Sequence, residues 1–169
     1  KKSLEFDMNI LRRNVIRSQM SDIYLKKHLG ISYYHSGKYQ MAINTFNEIL
    51  KLLNEDMIEY QMGLKSMIAL SYTKMSKMDL AKNEFNKVIT WLESNPNIDQ
   101  KDNRYFSYSI CYSLFQYFHS IGDHDKAKFN LEKAFNSASR REKKEYLEYK
   151  ISKNDDKHQL AKFFWVKNI

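Results

Sequence analysis

Three stretches of the chain repeat one sparse pattern of small and ring-bearing residues. The first is Leu29-Gly30, Tyr33, Gly37, Tyr39, Ala42, Phe46 and Ile49; the second is Ile68-Ala69, Tyr72, Ser76, Met78, Ala81, Phe85 and Val88. The third is Leu114-Phe115, Phe118, Gly122, His124, Ala127, Leu131 and Ala134. Self-similarity of this kind means that one supersecondary unit recurs, each copy too small to bury its apolar face alone. It constrains the fold before any single side chain is weighed, and it points to a binding surface rather than a catalytic pocket.

The units read as helical. One Pro and four Gly in 169 residues leave few breaks. The aromatic fraction of 14% would suit strands equally well, so periodicity must arbitrate. Ile23, Leu25, Leu29, Ile31, Tyr33 and Tyr34 recur at helical spacing, Ser36-Gly37-Lys38 breaks them, and Met41 to Leu53 marks a second helix. Two helices joined by so few residues are expected to lie antiparallel. The second unit predicts helices from about Asp56 to Lys74 and from Asp79, as N-cap, to about Glu93, with Ser94-Asn95-Pro96-Asn97 as a stop. The third predicts helices from about Asp102 to Ile121, with Asp99 or Asp102 as cap, and from Asp125 to Ser137.

The whole chain, 1–169, is thus expected to be one all-α domain: an N-terminal helix over 1–20, either a separate element or an extension into the first unit, repeats over 21–54, 55–97 and 98–138, and capping helices over 139–169. The last of these carries Phe163, Phe164, Trp165 and Val166 on one side, an apolar face suited to covering the end of a stack. The terminal helices also offer a route to a homodimer.

The net charge of +8 lies mostly outside the repeats. Residues 1–20 hold five basic and two acidic side chains, 139–169 hold nine and five, and 21–138 hold fourteen and thirteen. No repeat face concentrates positive charge, so direct nucleic-acid contact is not expected. No apolar run approaches the ~20 residues that cross a bilayer, so no membrane partner is expected either. Cys111 is the single cysteine, which excludes an intrachain disulfide and a cysteine zinc site and fits a cytoplasmic setting.

The units resemble the tetratricopeptide repeat, a helix-turn-helix module of about 34 residues. The first unit matches best, with Leu29-Gly30, Tyr33, Gly37, Tyr39, Ala42 and Phe46 at the family's spacing. The resemblance implies a right-handed α-solenoid of about three antiparallel helix pairs plus terminal helices. The departures are definite. Lys26, Lys65 and Cys111 stand at the family's Trp position, and Asn54 stands at its terminal Pro. Ala42, Ala81 and Ala127 are 39 and 46 residues apart, and Phe115 replaces a small residue. Longer repeats of this kind are similar to those of bacterial peptide-sensing regulators and of scaffold proteins.

Catalytic patterns are lacking. The four Gly are too scattered for a phosphate loop. His28 and His35 read as surface residues, and His119, Asp123, His124 and Asp125 read as a polar turn with a capping Asp in preference to a metal or proton-transfer site. Met57, Met62, Met67, Met75 and Met78 read as core filling. No enzyme and no cofactor are expected.

What the resemblance does supply is a concave face lined by the first helix of each unit. Its groove positions fall on Tyr24, Lys27, Ile31, Tyr34 and His35 in the first unit. They fall on Ser66, Leu70, Thr73 and Lys74 in the second, and on Ser109, Tyr112, Gln116 and His119 in the third. The set suits a protein or peptide ligand of some acidic character. The expectation is a non-enzymatic protein- or peptide-binding domain; the alternative is the peptide-sensing part of a bacterial transcription regulator whose DNA-binding module lies outside this chain.

Overall fold

The computed structural model describes residues 2–96 and 104–137, with side chains over 18–96 and 108–137. Over these residues it is all-helical: α1 (Lys2–His35), α2 (Tyr39–Leu52), α3 (Ile58–Lys74), α4 (Met78–Ser94), α5 (Arg104–Ser120) and α6 (His124–Ser137), with no strand among the described residues. No helix among them is long and apolar enough to cross a membrane. The capping helices expected over 139–169, and Asp99 and Asp102 as caps, lie outside the described residues.

Of the two readings of the N-terminal helix, the structure shows the extension into the first unit. α1 runs unbroken for 34 residues through the boundary expected near residue 20. No Gly or Pro stands before Gly30 to interrupt it.

The three turns that follow α1, α3 and α5 are built alike at the level of single hydrogen bonds. After α1, the Gly37 N–H donates to the Tyr34 carbonyl (3.1 Å) and the Lys38 N–H to the Tyr33 carbonyl (2.9 Å). After α3, Ser76 donates to Thr73 (3.0 Å) and Lys77 to Tyr72 (3.0 Å); after α5, Gly122 donates to His119 (3.2 Å) and Asp123 to Phe118 (3.0 Å). This paired bonding is the Schellman C-cap, and it needs a left-handed residue just past the helix. Gly37 (φ 74), Ser76 (φ 58) and Gly122 (φ 79) provide it.

The next helix opens on the same bond each time: Ala42 to Lys38, Ala81 to Lys77 and Ala127 to Asp123, at 3.0–3.1 Å. Asp79 is therefore not the N-cap of α4; it lies in the first turn, and Lys77 occupies the cap without a side-chain bond. At α6 the capping Asp of the turn is Asp123, its Oδ1 accepting from the Lys126 N–H at 3.1 Å.

α1 packs on α2, α3 on α4 and α5 on α6, while α3 also touches α2 and α5. Two apolar clusters follow. One joins Ile23, Ala42, Ile43, Phe46 and Ile49 to Leu64 and Ile68 of α3. The other joins Ala69 and Leu70 of α3 to Ala81, Phe85, Val88, Ile110, Leu114 and Ala127. Phe46 and Phe85 are fully buried, each contributing roughly 1.5–3 kcal/mol by area removed from water. α3 thus feeds both clusters and is buried or half-buried from Ile58 to Thr73, its buried hydroxyls at Ser66, Ser71 and Thr73 bonded within the helix.

Candidate functional site

Gly30 and Phe46 set the distance between α1 and α2, and with it the floor of a cleft. That cleft is lined by Lys27 and Ile31 of α1, Phe46 of α2, Tyr60, Gly63, Leu64 and Met67 of α3, and Ser109 of α5. Its free space of about 40 Å³ would hold on the order of three waters or one side chain, too little for a folded ligand. The Lys27 ammonium lies 5.2 Å from the Tyr60 ring centroid, a cation–π pair beside the cleft.

Beside it, α5 carries a ladder of rings. Tyr108 and Tyr112 stack at 6.0 Å with 8° between planes, Tyr112 meets Phe115 at 5.7 Å, and Phe115 meets His119 at 5.9 Å. The spacing of four, three and four residues puts them on one face of the helix. Tyr34 of α1 is drawn into the same region. Burial pushes its phenol well above the ordinary value, and the nearby Tyr39 and Tyr112 hydroxyls push it further in the same direction. The Tyr39 ring lies 5.6 Å from it, edge to face. Tyr34 also packs against both apolar clusters.

Of the residues expected on the groove, the structure thus gathers Lys27, Ile31 and Ser109 in the cleft, with Tyr34 and Tyr112 alongside. His119 is exposed at the end of the ring ladder, and Gln116 is half-buried on the same helix. Tyr24 does not join them; it is 61% exposed and lies edge-on to His28 at 4.4 Å. His35 and Lys74 are also exposed.

The second unit differs most. Ser66, Leu70 and Thr73 are 0%, 2% and 8% exposed, so they sit in the core and do not front a ligand. Their hydroxyls are spent locally: Ser66 donates to the Gly63 carbonyl (2.7 Å) and Thr73 to that of Ala69 (3.1 Å). The reason is the enclosure of α3 on two sides, which leaves a different strip facing the cleft. That strip is Tyr60, Gly63, Leu64 and Met67, at i, i+3, i+4 and i+7, which a family-based register misses. The aromatic at 60 and the glycine three residues later were the available signal.

The remaining polar candidates form no constellation. His119 and His124 have ring centroids 6.2 Å apart, and the Asp123 carboxylate caps α6 and pairs with the Lys126 ammonium at 3.2 Å. No group of three or more His, Cys, Asp or Glu able to hold a metal occurs among the described residues. Cys111 is buried, as is Met62, while Met78 is 38% exposed. Compared with known protein families, curated proteins and solved structures, the chain matches none.

Proposed function

We propose that the chain is a non-enzymatic protein- or peptide-binding domain of tetratricopeptide type. In this reading its three helix pairs are antiparallel and stack as a right-handed α-solenoid. Schellman turns are common helix ends, but those at Gly37, Ser76 and Gly122 each stand five residues before a buried alanine, Ala42, Ala81 or Ala127, and that shared register supports the repeat. Each link is only three residues long, which favours helices that return alongside one another.

The observation that carries the binding assignment is the ring ladder Tyr108, Tyr112, Phe115 and His119 lying beside a side-chain-sized cleft. Partly exposed aromatic side chains are the usual anchors of protein interfaces, because they bury much area at little entropic cost. Lys27 and Lys74 add positive charge, so the preferred ligand is an extended or helical segment with one apolar anchor flanked by Asp or Glu.

Panning a random peptide library against the full chain tests the reading. Enriched peptides should share an apolar residue next to acidic ones, and Tyr112→Ser should weaken them at least tenfold. Phe129→Ser, an exposed ring remote from the ladder in sequence, should leave affinity unchanged. A library that yields no enriched sequence, or a Tyr112→Ser variant that binds as well as the parent, would refute it.

A further inference from the structure

Gly63 stands inside α3, away from both ends, where glycine is the least favourable residue after proline. Its backbone is not left-handed, unlike that of Gly37 and Gly122, so conformation does not call for it. Gly30, the other glycine inside a helix, is explained by the Phe46 ring that lies against it. Gly63 instead borders the cleft. Tyr60, Leu64 and Met67 line that cleft from the same face of α3, so a side chain at position 63 would project towards it as theirs do.

The size of the cleft bounds what can enter. Roughly 10–15 Å³ accommodates one water-sized group, so about 40 Å³ admits roughly three or four non-hydrogen atoms. That is the side chain of Val, Leu, Ile or Met. The rings of Phe, Tyr and Trp exceed it roughly twofold or more. The walls suit an aliphatic group, since Ile31, Phe46, Leu64 and Met67 are apolar.

Charge bounds what can lie next to that group. None of the described lining residues is acidic, and α5, which closes the cleft at Ser109, carries no acidic residue over Arg104–Ser120. Lys27, its ammonium 5.2 Å from the Tyr60 ring, supplies positive charge beside the opening. The complement is a carboxylate on the ligand, adjacent to the anchor.

We infer that this cleft sorts ligands by the size of one aliphatic side chain next to an acidic residue, and that Gly63 is the specificity-determining residue that sets the limit. The inference rests on the peptide-binding reading above; it adds the class of anchor and the residue that selects it. In a closed apolar slot, one carbon too many or too few changes affinity roughly tenfold. A ring that cannot enter leaves its apolar surface in water and draws its acidic neighbour away from Lys27, so selection works by exclusion as well as by fit.

Phage libraries of short random peptides with a central Asp-Z-Glu test this, Z being fixed in turn as Gly, Val, Leu, Met, Phe or Trp. The full chain should enrich the Val, Leu and Met libraries roughly tenfold or more over Gly, and equally over Phe and Trp. Gly63→Ala should reduce enrichment of the Leu and Met libraries roughly tenfold, and that of Val less. Since this variant could also disturb α3, Ile31→Ala provides a second arm that removes wall and introduces no clash. It should raise Phe against Leu roughly fivefold, with helical circular dichroism unchanged. If no library is enriched, the binding reading falls and this inference with it. If enrichment ignores the identity of Z, favours Phe or Trp in the parent, or is unmoved by both variants, the binding reading stands and the size limit is overturned.

Discussion

Gly30 lies so close to Phe46 that a β-carbon on it would stand 2.5 Å from the ring's Cε1 and 2.9 Å from two more ring carbons. The ring is fully buried, so any shift that makes room must disturb the packing around it. Gly30→Ala should therefore destabilise the fold by about 1–3 kcal/mol despite the better helix propensity of Ala, because the overpacking term outweighs the ~1 kcal/mol propensity gain. Thermal unfolding followed by circular dichroism measures it, and Phe46→Leu added to Gly30→Ala should recover part of the loss. An Ala variant that melts above the parent would contradict this account of the contact.

The second unit holds Ser where the other two turns hold Gly, and Ser76 sits at φ 58. A left-handed conformation costs a non-Gly residue about 1 kcal/mol or more, partly offset by the lower entropy of its unfolded state. Ser76→Gly should thus stabilise the chain by on the order of 0.5 kcal/mol. Gly37→Ala and Gly122→Ala should each cost about 1 kcal/mol, purely from the backbone, since nothing lies within 4 Å of a β-carbon at either site. Denaturant titration of the three variants compares them directly.

Asp123 links α6 to pH. Its carboxyl is held below the ordinary value of 3.8, chiefly by the bond from the Lys126 backbone N–H and also by the Lys126 side chain. A carboxyl with a lowered folded pKa contributes stability above its unfolded value and loses it as pH falls through the folded one. The midpoint of thermal unfolding should therefore drop on acidification below about pH 4 more steeply in the parent than in Asp123→Asn, which keeps the cap but cannot titrate. Equal slopes would remove Asp123 from the acid response.

Tyr34 packs on both apolar clusters as well as beside the ring ladder, so it cannot serve as a simple binding probe. Tyr34→Ala should destabilise by about 2 kcal/mol or more, while Tyr34→Phe should fold normally. Because burial raises the phenol's pKa from 10.0, the neutral form is favoured on folding, and stability present below pH 10 should fall as pH rises above it. Tyr34→Phe should flatten that alkaline decline in circular dichroism melts.

Much of the fold was legible because the residues that make the turns and close contacts are chemically unusual. Gly37 and Gly122 announce left-handed C-caps, and Ala42, Ala81 and Ala127 mark buried close approaches, each at most 3% exposed. The caps were less legible. Asp79 and Asp125 have the chemistry of openings for α4 and α6, but the Schellman bonds fix where each following helix begins, and they start it one or two residues earlier. The site was only partly legible. Lys27, Ile31, Tyr34, Ser109 and Tyr112 converge, since α1 and α5 each keep an open side. Ser66, Leu70 and Thr73 do not, because the rotation of α3 about its own axis is set by neighbours on two flanks, and no local pattern reports that rotation.

The double enclosure of α3 has an energetic consequence. Leu64 and Ile68 belong to one cluster, Ala69 and Leu70 to the other, so a single rod supplies the inner wall of both. Repeat arrays in which each unit touches only its neighbours can fray from an end, piece by piece. Here, peeling away either half strips apolar surface from the rod on which the remaining half depends, and melting should proceed as one event with coincident probes.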